Sequence, residues 1–368
     1  MSVSVFGRLA GVAQLRRAAA VLTTPLLPDD YLSMINQLWS ARELRGRIVT
    51  VVPETEDAVT LVIEPGAGWH FDHRPGQYLG IAVAVDGRFH WRSYSLTCPP
   101  IQGDEQHRGQ LSITVKAMPE GRLSTHLVRD LEPGTVVRLA PPRGEFVLPE
   151  PPPARLLFVT AGSGITPVMA MLRTMDRRAT LPDVVLAHSA PTEPAMLFRA
   201  ELHELGRRHA GFTLHERFTR REGQLSLADS LESVCPDWRE REAWVCGPNA
   251  LLEDAERLWA AAGLDRALHL ERFSAAFAGG ETEGGTVRFA ASGRVVQIDG
   301  ATTLMQAGER AGVPLPFGCR MGICHTCVVP LLSGRVRDLR DGTEHDGGHQ
   351  TMIQTCVTAA AGDCVLDL

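Results

Sequence analysis

Four of the eight cysteines form the clearest chemical pattern in the chain. Cys319, Cys324 and Cys327 lie together in "FGCRMGICHTC", and Cys356 follows far downstream in "QTC". Three thiolates from one loop and a fourth from a distance match the plant-type [2Fe–2S] spacing. Zinc also accepts four thiolates, but structural zinc sites usually combine two short Cys-x2-4-Cys knuckles. Four thiolates on an oxidised [2Fe–2S] core carry about two net negative charges, which calls for inward-pointing backbone N–H groups. Gly318 and Gly322 give the backbone that freedom, and Arg320 adds positive charge. His325 reads as a filler at the solvent edge. Cys364, the other downstream cysteine, sits in the alternating segment "CVLDL" and reads as a strand residue.

Glycines and hydroxyls upstream suggest phosphate-bearing cofactors. "TAGSGITP" at 160–167 follows a buried strand and opens a helix. Gly162 and Gly164 let backbone approach a phosphate at a helix N-terminus, where the helix dipole favours an anion. Pro167 takes the place of the third glycine, so this is not the Gly-x-Gly-x-x-Gly fingerprint. In "GRLS" at 121–124, Gly121 frees the backbone and Ser124 offers a hydroxyl at another helix start. "RSYS" at 92–95, "HRPGQY" at 73–78 and "CGP" at 246–248 complete the set.

These motifs need elements to hold them. The chain has 368 residues and is 44% hydrophobic, enough for two or three domains. Residues 1–42 form an N-terminal extension in which "LLPDDYLSMINQLWS" suits a short helix. Two readings apply to it: an arm packed on the next domain, or a peripheral membrane or partner-docking helix. Residues 43–150 show short strands broken by Gly, Pro and Asp, as in an antiparallel β-barrel. "PEPPPAR" at 149–155 marks a joint, because consecutive prolines continue neither helix nor sheet interior. Residues 151–273 alternate strand and helix, which predicts an α/β doubly wound parallel sheet. "NALLEDAERLWAAAG" is its clearest helix, with Asn249 expected as cap and Gly263 as stop. Residues 274–285 are a linker by composition, with a span of ~20 Å. Residues 286–368 begin with a hairpin, and the helix "TTLMQAGERAG" has Thr303 and Gln306 in capping-box register.

The last module resembles a plant-type ferredoxin domain, an α+β β-grasp fold. "RSYS" and "GRLS", in this order within a β-rich region, resemble the ferredoxin-NADP reductase-like flavoproteins. That resemblance implies that Tyr94 stacks on the flavin ring, Ser95 lies near its N5 and Arg92 meets a phosphate. It implies further that Thr166 lies near the flavin and Cys246 beside the hydride path, both counted as catalytic, and that "CGP", with Gly247 and Pro248, contacts the nicotinamide nucleotide. Phe273 in "LERF" is the aromatic expected against the flavin, with hinge packing as its other reading. Lys116, the chain's single lysine, is counted with the cofactor residues. FAD is the expected flavin and FMN the alternative. NADPH is favoured over NADH because Ser189, not an acid, follows the second strand, and Arg199, Arg220 and Arg221 lie close by in sequence.

The expected function is electron transfer from NADPH through FAD and a [2Fe–2S] cluster to an acceptor protein. The N-terminal segment resembles actinobacterial reductases that serve membrane fatty-acyl desaturases, which makes a desaturase the first expected partner. The alternatives are a ring-hydroxylating oxygenase, an alkane monooxygenase or a cytochrome P450. A redox-sensing iron–sulfur protein is the non-enzymatic alternative. The net charge of −6 and the lack of basic tracts argue against nucleic acid. No apolar run reaches membrane-spanning length and no signal-peptide pattern appears, so the expected location is the cytoplasm, with peripheral membrane association left open.

Overall fold

The computed structural model describes residues 28–40, 43–85, 88–100, 109–118, 122–273, 284–300, 302–316, 327–339, 343–348 and 351–368. Gly121, Gly318, Cys319, Arg320, Gly322, Cys324, His325 and most of the 274–285 linker lie outside them, as do residues 1–27. The chain divides into two compact units, Met1–Glu271 and Arg272–Leu368.

The first unit opens with helix α1 (Pro28–Ile35). Just beyond it, Leu38 is buried and Arg45 donates to the Gln37 carbonyl at 3.0 Å, so this part of the arm packs on the barrel. Met34 and Ile35 remain exposed. Six antiparallel strands follow: β1 (Leu44–Thr55), β2 (Ala58–Pro65), β3 (Tyr78–Val85), β4 (Arg88–Ser95), β5 (Leu111–Lys116) and β6 (Val136–Leu139). Their order is β4-β3-β6-β1-β2-β5, and a bridge between Leu96 and Ile113 joins the two outer strands. Closure removes exposed sheet edges and turns alternate apolar side chains, among them Ile48, Leu61, Ile81 and Ile113, into one interior. Helix α2 (Arg122–Arg129) covers an end of this core through Leu123 and Leu127.

The second sheet is wholly parallel, in the order β11-β10-β7-β8-β9. Its strands are β7 (Arg155–Ala161), β8 (Asp183–Ala190), β9 (Phe212–Phe218), β10 (Glu242–Cys246) and β11 (Leu268–Glu271). β7 and β8 are almost continuously buried, as expected for strands covered on both faces. The covering helices are α3 (Ile165–Arg177), α4 (Arg199–Arg208), α5 (Thr219–Glu222), α6 (Leu227–Val234) and α7 (Asn249–Ala262). Pro248, not Asn249, occupies the cap position of α7, and Asn249 is its first helical residue. Proline's fixed φ suits a helix entry, so the motif "CGP" itself starts the helix. Gly263 ends it in the left-handed conformation, at φ 69°.

The second unit holds β12 (Gly285–Phe289), β13 (Val295–Ile298), β14 (Val328–Asp338), β15 (Glu344–Asp346), β16 (Met352–Gln354) and β17 (Thr358–Leu366). The sheet order is β13-β12-β17-β14-β15, with β16 paired to β14. Only the β12–β17 pair is parallel among these described strands. Helix α8 (Leu304–Arg310) carries the expected capping box between Thr303 and Gln306. Cys364 lies in the core of this module, on central strand β17.

Candidate electron-transfer site

Two glycine-bearing loops meet where the order of the parallel strands reverses. β7 stands between β8 and β10, and the crevice beyond the carboxyl ends of β7 and β10 is a topological switch point. The Gly162–Gly164 turn leaves β7, and Gly247–Pro248 leaves β10. The two loops touch. A Cβ on Gly164 would stand 2.1 Å from the Cys246 carbonyl oxygen. Gly162 adopts φ 55°, with open space where its Cβ would point, as a backbone approached by a phosphate requires.

Electrostatics at the helix starts agree. α2, α3 and α7 carry no acidic residue in their first turns, whereas α4, α5 and α6 carry Glu201, Glu222 and Asp229. Acids are favoured at such positions; α8 in the second unit lacks one too, so their absence permits an external anion without specifying one. Thr166, in the first turn of α3, is buried and donates its hydroxyl to the Ser163 carbonyl at 2.9 Å. That bond fixes the turn. Cys246 is fully buried; burial, then the Glu271 carboxylate, pushes its thiol well above the ordinary range. It stays a neutral thiol and offers no thiolate chemistry.

On the barrel, β3 and β4 pair Tyr78 with Ser95, Leu79 with Tyr94 and Ile81 with Arg92. Ser95 is buried, Arg92 is exposed, and Tyr94 is half-buried against the barrel core. Burial pushes the Tyr94 phenol up to about 12, so it remains neutral and able to donate. A half-buried neutral aromatic beside a buried hydroxyl suits a flat heteroaromatic ring. Ser124, in the first turn of α2, accepts the Met118 N–H at 3.1 Å, which ties the helix start to the strand before it. Lys116 forms an ion pair with Asp57 at 2.9 Å. Burial opposes ionisation of Asp57, but Lys116 and Thr55 outweigh it and hold that carboxyl below its usual range.

"HRPGQY" is a joint between barrel and parallel-sheet domain. Gly76 has φ 101°, and a Cβ there would lie 2.0 Å from the Phe146 carbonyl and 2.6 Å from Met171 of α3. His73 is buried and pairs through Nε2 with the Cys98 carbonyl at 3.1 Å.

In the second unit, two of the four expected cluster cysteines are described. The sulfurs of Cys327 and Cys356 lie 3.2 Å apart, both buried and neither disulfide-linked. Thr355 holds them together: its N–H and its hydroxyl both donate to the Cys327 carbonyl, each at 3.2 Å. Such a convergent pair of soft donors fits an iron–sulfur site. Cys364 belongs to a different cluster of side chains, and burial, then Asp363, pushes its thiol up to about 12.

Comparison with known proteins agrees with this geometry. Residues 57–148 match the oxidoreductase FAD-binding domain, residues 158–257 the oxidoreductase NAD-binding domain, and residues 288–361 the 2Fe-2S iron-sulfur cluster binding domain. An NADPH oxidoreductase of Mycobacterium tuberculosis is 58% identical over 354 residues, spanning 96% of this chain and 92% of that protein. A glycine betaine monooxygenase reductase subunit of Pseudomonas aeruginosa is 30% identical over 365 residues, spanning 90% and 97%. The fold is that of phthalate dioxygenase reductase, with a TM-score of 0.58 and 24% identity over 89% of this chain and 98% of that one. The chain belongs to the ferredoxin-NADP reductase-like flavoprotein reductases with a C-terminal plant-type [2Fe–2S] domain. It is an NAD(P)H-dependent electron-transfer oxidoreductase that uses FAD and a [2Fe–2S] cluster.

Some residues that shape the site were not visible from local motifs. Thr355 and Glu271 act on partners distant in sequence, Cys327 and Cys246. Phe273 is 42% exposed at the end of its described segment. Replacing Tyr94 with alanine tests its expected stacking on the flavin, a contact worth about 1 kcal/mol or more. The variant is expected to lose flavin during desalting, read as a fall in visible flavin absorbance relative to protein. Full flavin occupancy would rule Tyr94 out as the stacking residue.

Proposed function

We propose that the chain takes hydride from NADPH at the crevice between β7 and β10 and passes electrons through FAD and the cluster to a membrane fatty-acyl desaturase. The flavin supplies the step between a two-electron donor and a one-electron cluster. Tyr94 and Ser95 would orient its ring, Arg92, Gly121 and Ser124 would meet its phosphates, and Gly162, Gly164 and Thr166 would seat the donor, with Gly247 and Pro248 opposite. Cys319, Cys324, Cys327 and Cys356 would hold the cluster.

The preference for NADPH rests on the carboxyl end of β8. The Ser189 hydroxyl is buried without a partner. Glu216, the acid nearest in register, is held by Arg199 and His203, each at 2.9 Å. It is therefore not open to a ribose diol. Arg199 is committed to Glu193 as well, and Arg221 pairs with Glu222. Among the described residues Arg220 has no ion-pair partner, which makes it the cation open to a 2′-phosphate.

The desaturase reading is carried by the N-terminal segment, where Met34, Ile35 and Trp39 are 72%, 74% and 41% exposed. An apolar patch so close to a packed arm suits a partner at a membrane surface. No helix among the described residues is long and apolar enough to cross a membrane. A second reading, an oxygenase as acceptor, is favoured by the relatives that serve as reductase subunits of monooxygenases. Reconstitution separates them. The holoenzyme is combined with a desaturase in vesicles or with an oxygenase component, and product is measured with NADPH or NADH as donor. Coupled acyl desaturation driven best by NADPH is expected. Product with the oxygenase alone would replace the desaturase reading, and equal rates with NADH would remove the preference for NADPH.

A further inference from the structure

Helix α3 begins at the Gly162–Gly164 turn, and its far half reaches the flavin barrel. Arg173 extends from it as a three-way fork. Nη1 donates to the Thr97 carbonyl at 2.8 Å. Nε and Nη2 donate to the two carboxylate oxygens of Glu201 on α4, at 2.7 and 2.6 Å. The guanidinium lies 5.1 Å from the centre of the Phe198 ring, at the entry to α4. One turn further, Arg177 donates to the Pro100 carbonyl at 2.7 Å.

The acceptor on the barrel has little slack. Thr97 is fully buried, its N–H donates to the Ser112 carbonyl at 2.8 Å, and its hydroxyl pairs with that of Ser112 at 2.8 Å. It lies two residues beyond Ser95 on the same extended chain. Arg173 thus connects the chain that carries Tyr94 and Ser95 to the helix that starts at the nucleotide turn.

We propose that Arg173 is a positioning residue that sets the distance between flavin and nicotinamide. This rests on reading Tyr94–Ser95 as the flavin site and Gly162–Gly164 as the nicotinamide turn. Hydride transfer tolerates little misplacement; about 1 Å costs roughly a hundredfold in rate. A planar fork can fix two domains at once, which a lysine ammonium cannot do with the same geometry.

The structure supplies a matched control. Arg208 on α4 forms a bidentate pair with Asp176 on α3, at 2.9 and 3.0 Å. It joins the same two helices without the bond to Thr97. His209 also pairs with Asp176 at 2.6 Å and backs that link, so a change in hydride rate is expected only where the bond to Thr97 is lost.

The test compares Arg173→Lys and Arg208→Lys holoenzymes by rapid-mixing reduction of the flavin with NADPH. Arg173→Lys is expected to slow the saturating rate roughly tenfold or more, with half-saturation changed by no more than about twofold. It should also diminish the change in flavin absorption produced by NADP+ binding. Iron content and chemical reduction by dithionite should stay normal. Arg208→Lys should lower the unfolding temperature but keep the wild-type rate. Glu201→Gln weakens the same fork without altering the barrel and is expected to lower the rate by a few-fold. Wild-type saturating rates in both Arg173→Lys and Glu201→Gln would overturn the proposal. A misplaced flavin site would show itself separately, as full flavin retention in Tyr94→Ala.

Discussion

Cys356→Ser is expected to abolish the visible absorption of the iron–sulfur cluster, while Cys364→Ser leaves it in place. The two cysteines are only eight positions apart, but the fold separates them. Cys356 follows Thr355, whose two hydrogen bonds to the Cys327 carbonyl bring their sulfurs to 3.2 Å. Cys364 points into the apolar core between α8 and the sheet, among Val287, Leu304 and Leu331. A serine hydroxyl at Cys356 is a poor ligand for iron that prefers thiolate. The same hydroxyl at Cys364 replaces a small buried group and costs stability only, about 1 to 3 kcal/mol. Iron analysis and visible spectra of the two variants check this. In Cys356→Ser, dithionite should still bleach the flavin. Retention of the cluster in Cys356→Ser with its loss in Cys364→Ser would exchange the ligand assignment.

The second large effect is expected at Gly164. An alanine Cβ there would be placed 2.1 Å from the Cys246 oxygen and 2.6 Å from its carbonyl carbon, both backbone atoms that cannot rotate away. The α3 and β10 loops would have to separate, opening the crevice proposed to seat the nicotinamide. NADPH-driven reduction of the flavin should fall roughly a hundredfold. Flavin content, iron content and chemical reduction should be retained, because neither the barrel nor the second unit contributes to the clash. Gly162→Ala is the informative comparison. It meets no atom within 4 Å, although its φ of 55° costs an alanine about 1 to 2 kcal/mol. Its effect should be much the smaller. Equal losses in the two variants would point to backbone strain rather than contact between the loops.

The sequence revealed those parts of the site that are local. The capping box of Thr303 and Gln306 lies within one turn, and the αL stop at Gly263 needs only its own residue type. The glycine turn after β7 is local too. Period-two patterns located strands but not their neighbours, so the bridge between Leu96 and Ile113 that closes the barrel had no signal. The cap of α7 was placed one residue late, because Asn is a stronger cap type than Pro; the chain instead uses proline's fixed φ. Arg173 was missed for a different reason. An arginine on an amphipathic helix ordinarily reads as a solvated face, and its partners Thr97 and Glu201 lie 76 and 28 positions away. Ser189 was singled out for its type, but only the fold shows that its hydroxyl is buried without a partner.

Strand β17 lies between β12, the first strand of its module, and β14. It follows the other five strands along the chain, yet it forms the middle of the sheet. The sheet of the ferredoxin module therefore cannot be completed until β17 is available, whereas the barrel and parallel sheet lie wholly before it in the chain. Until β17 inserts, the β12–β13 hairpin has no strand joining it to β14. A chain cut before β17 is expected to fold its barrel and parallel sheet while leaving the sheet of the second unit in two pieces.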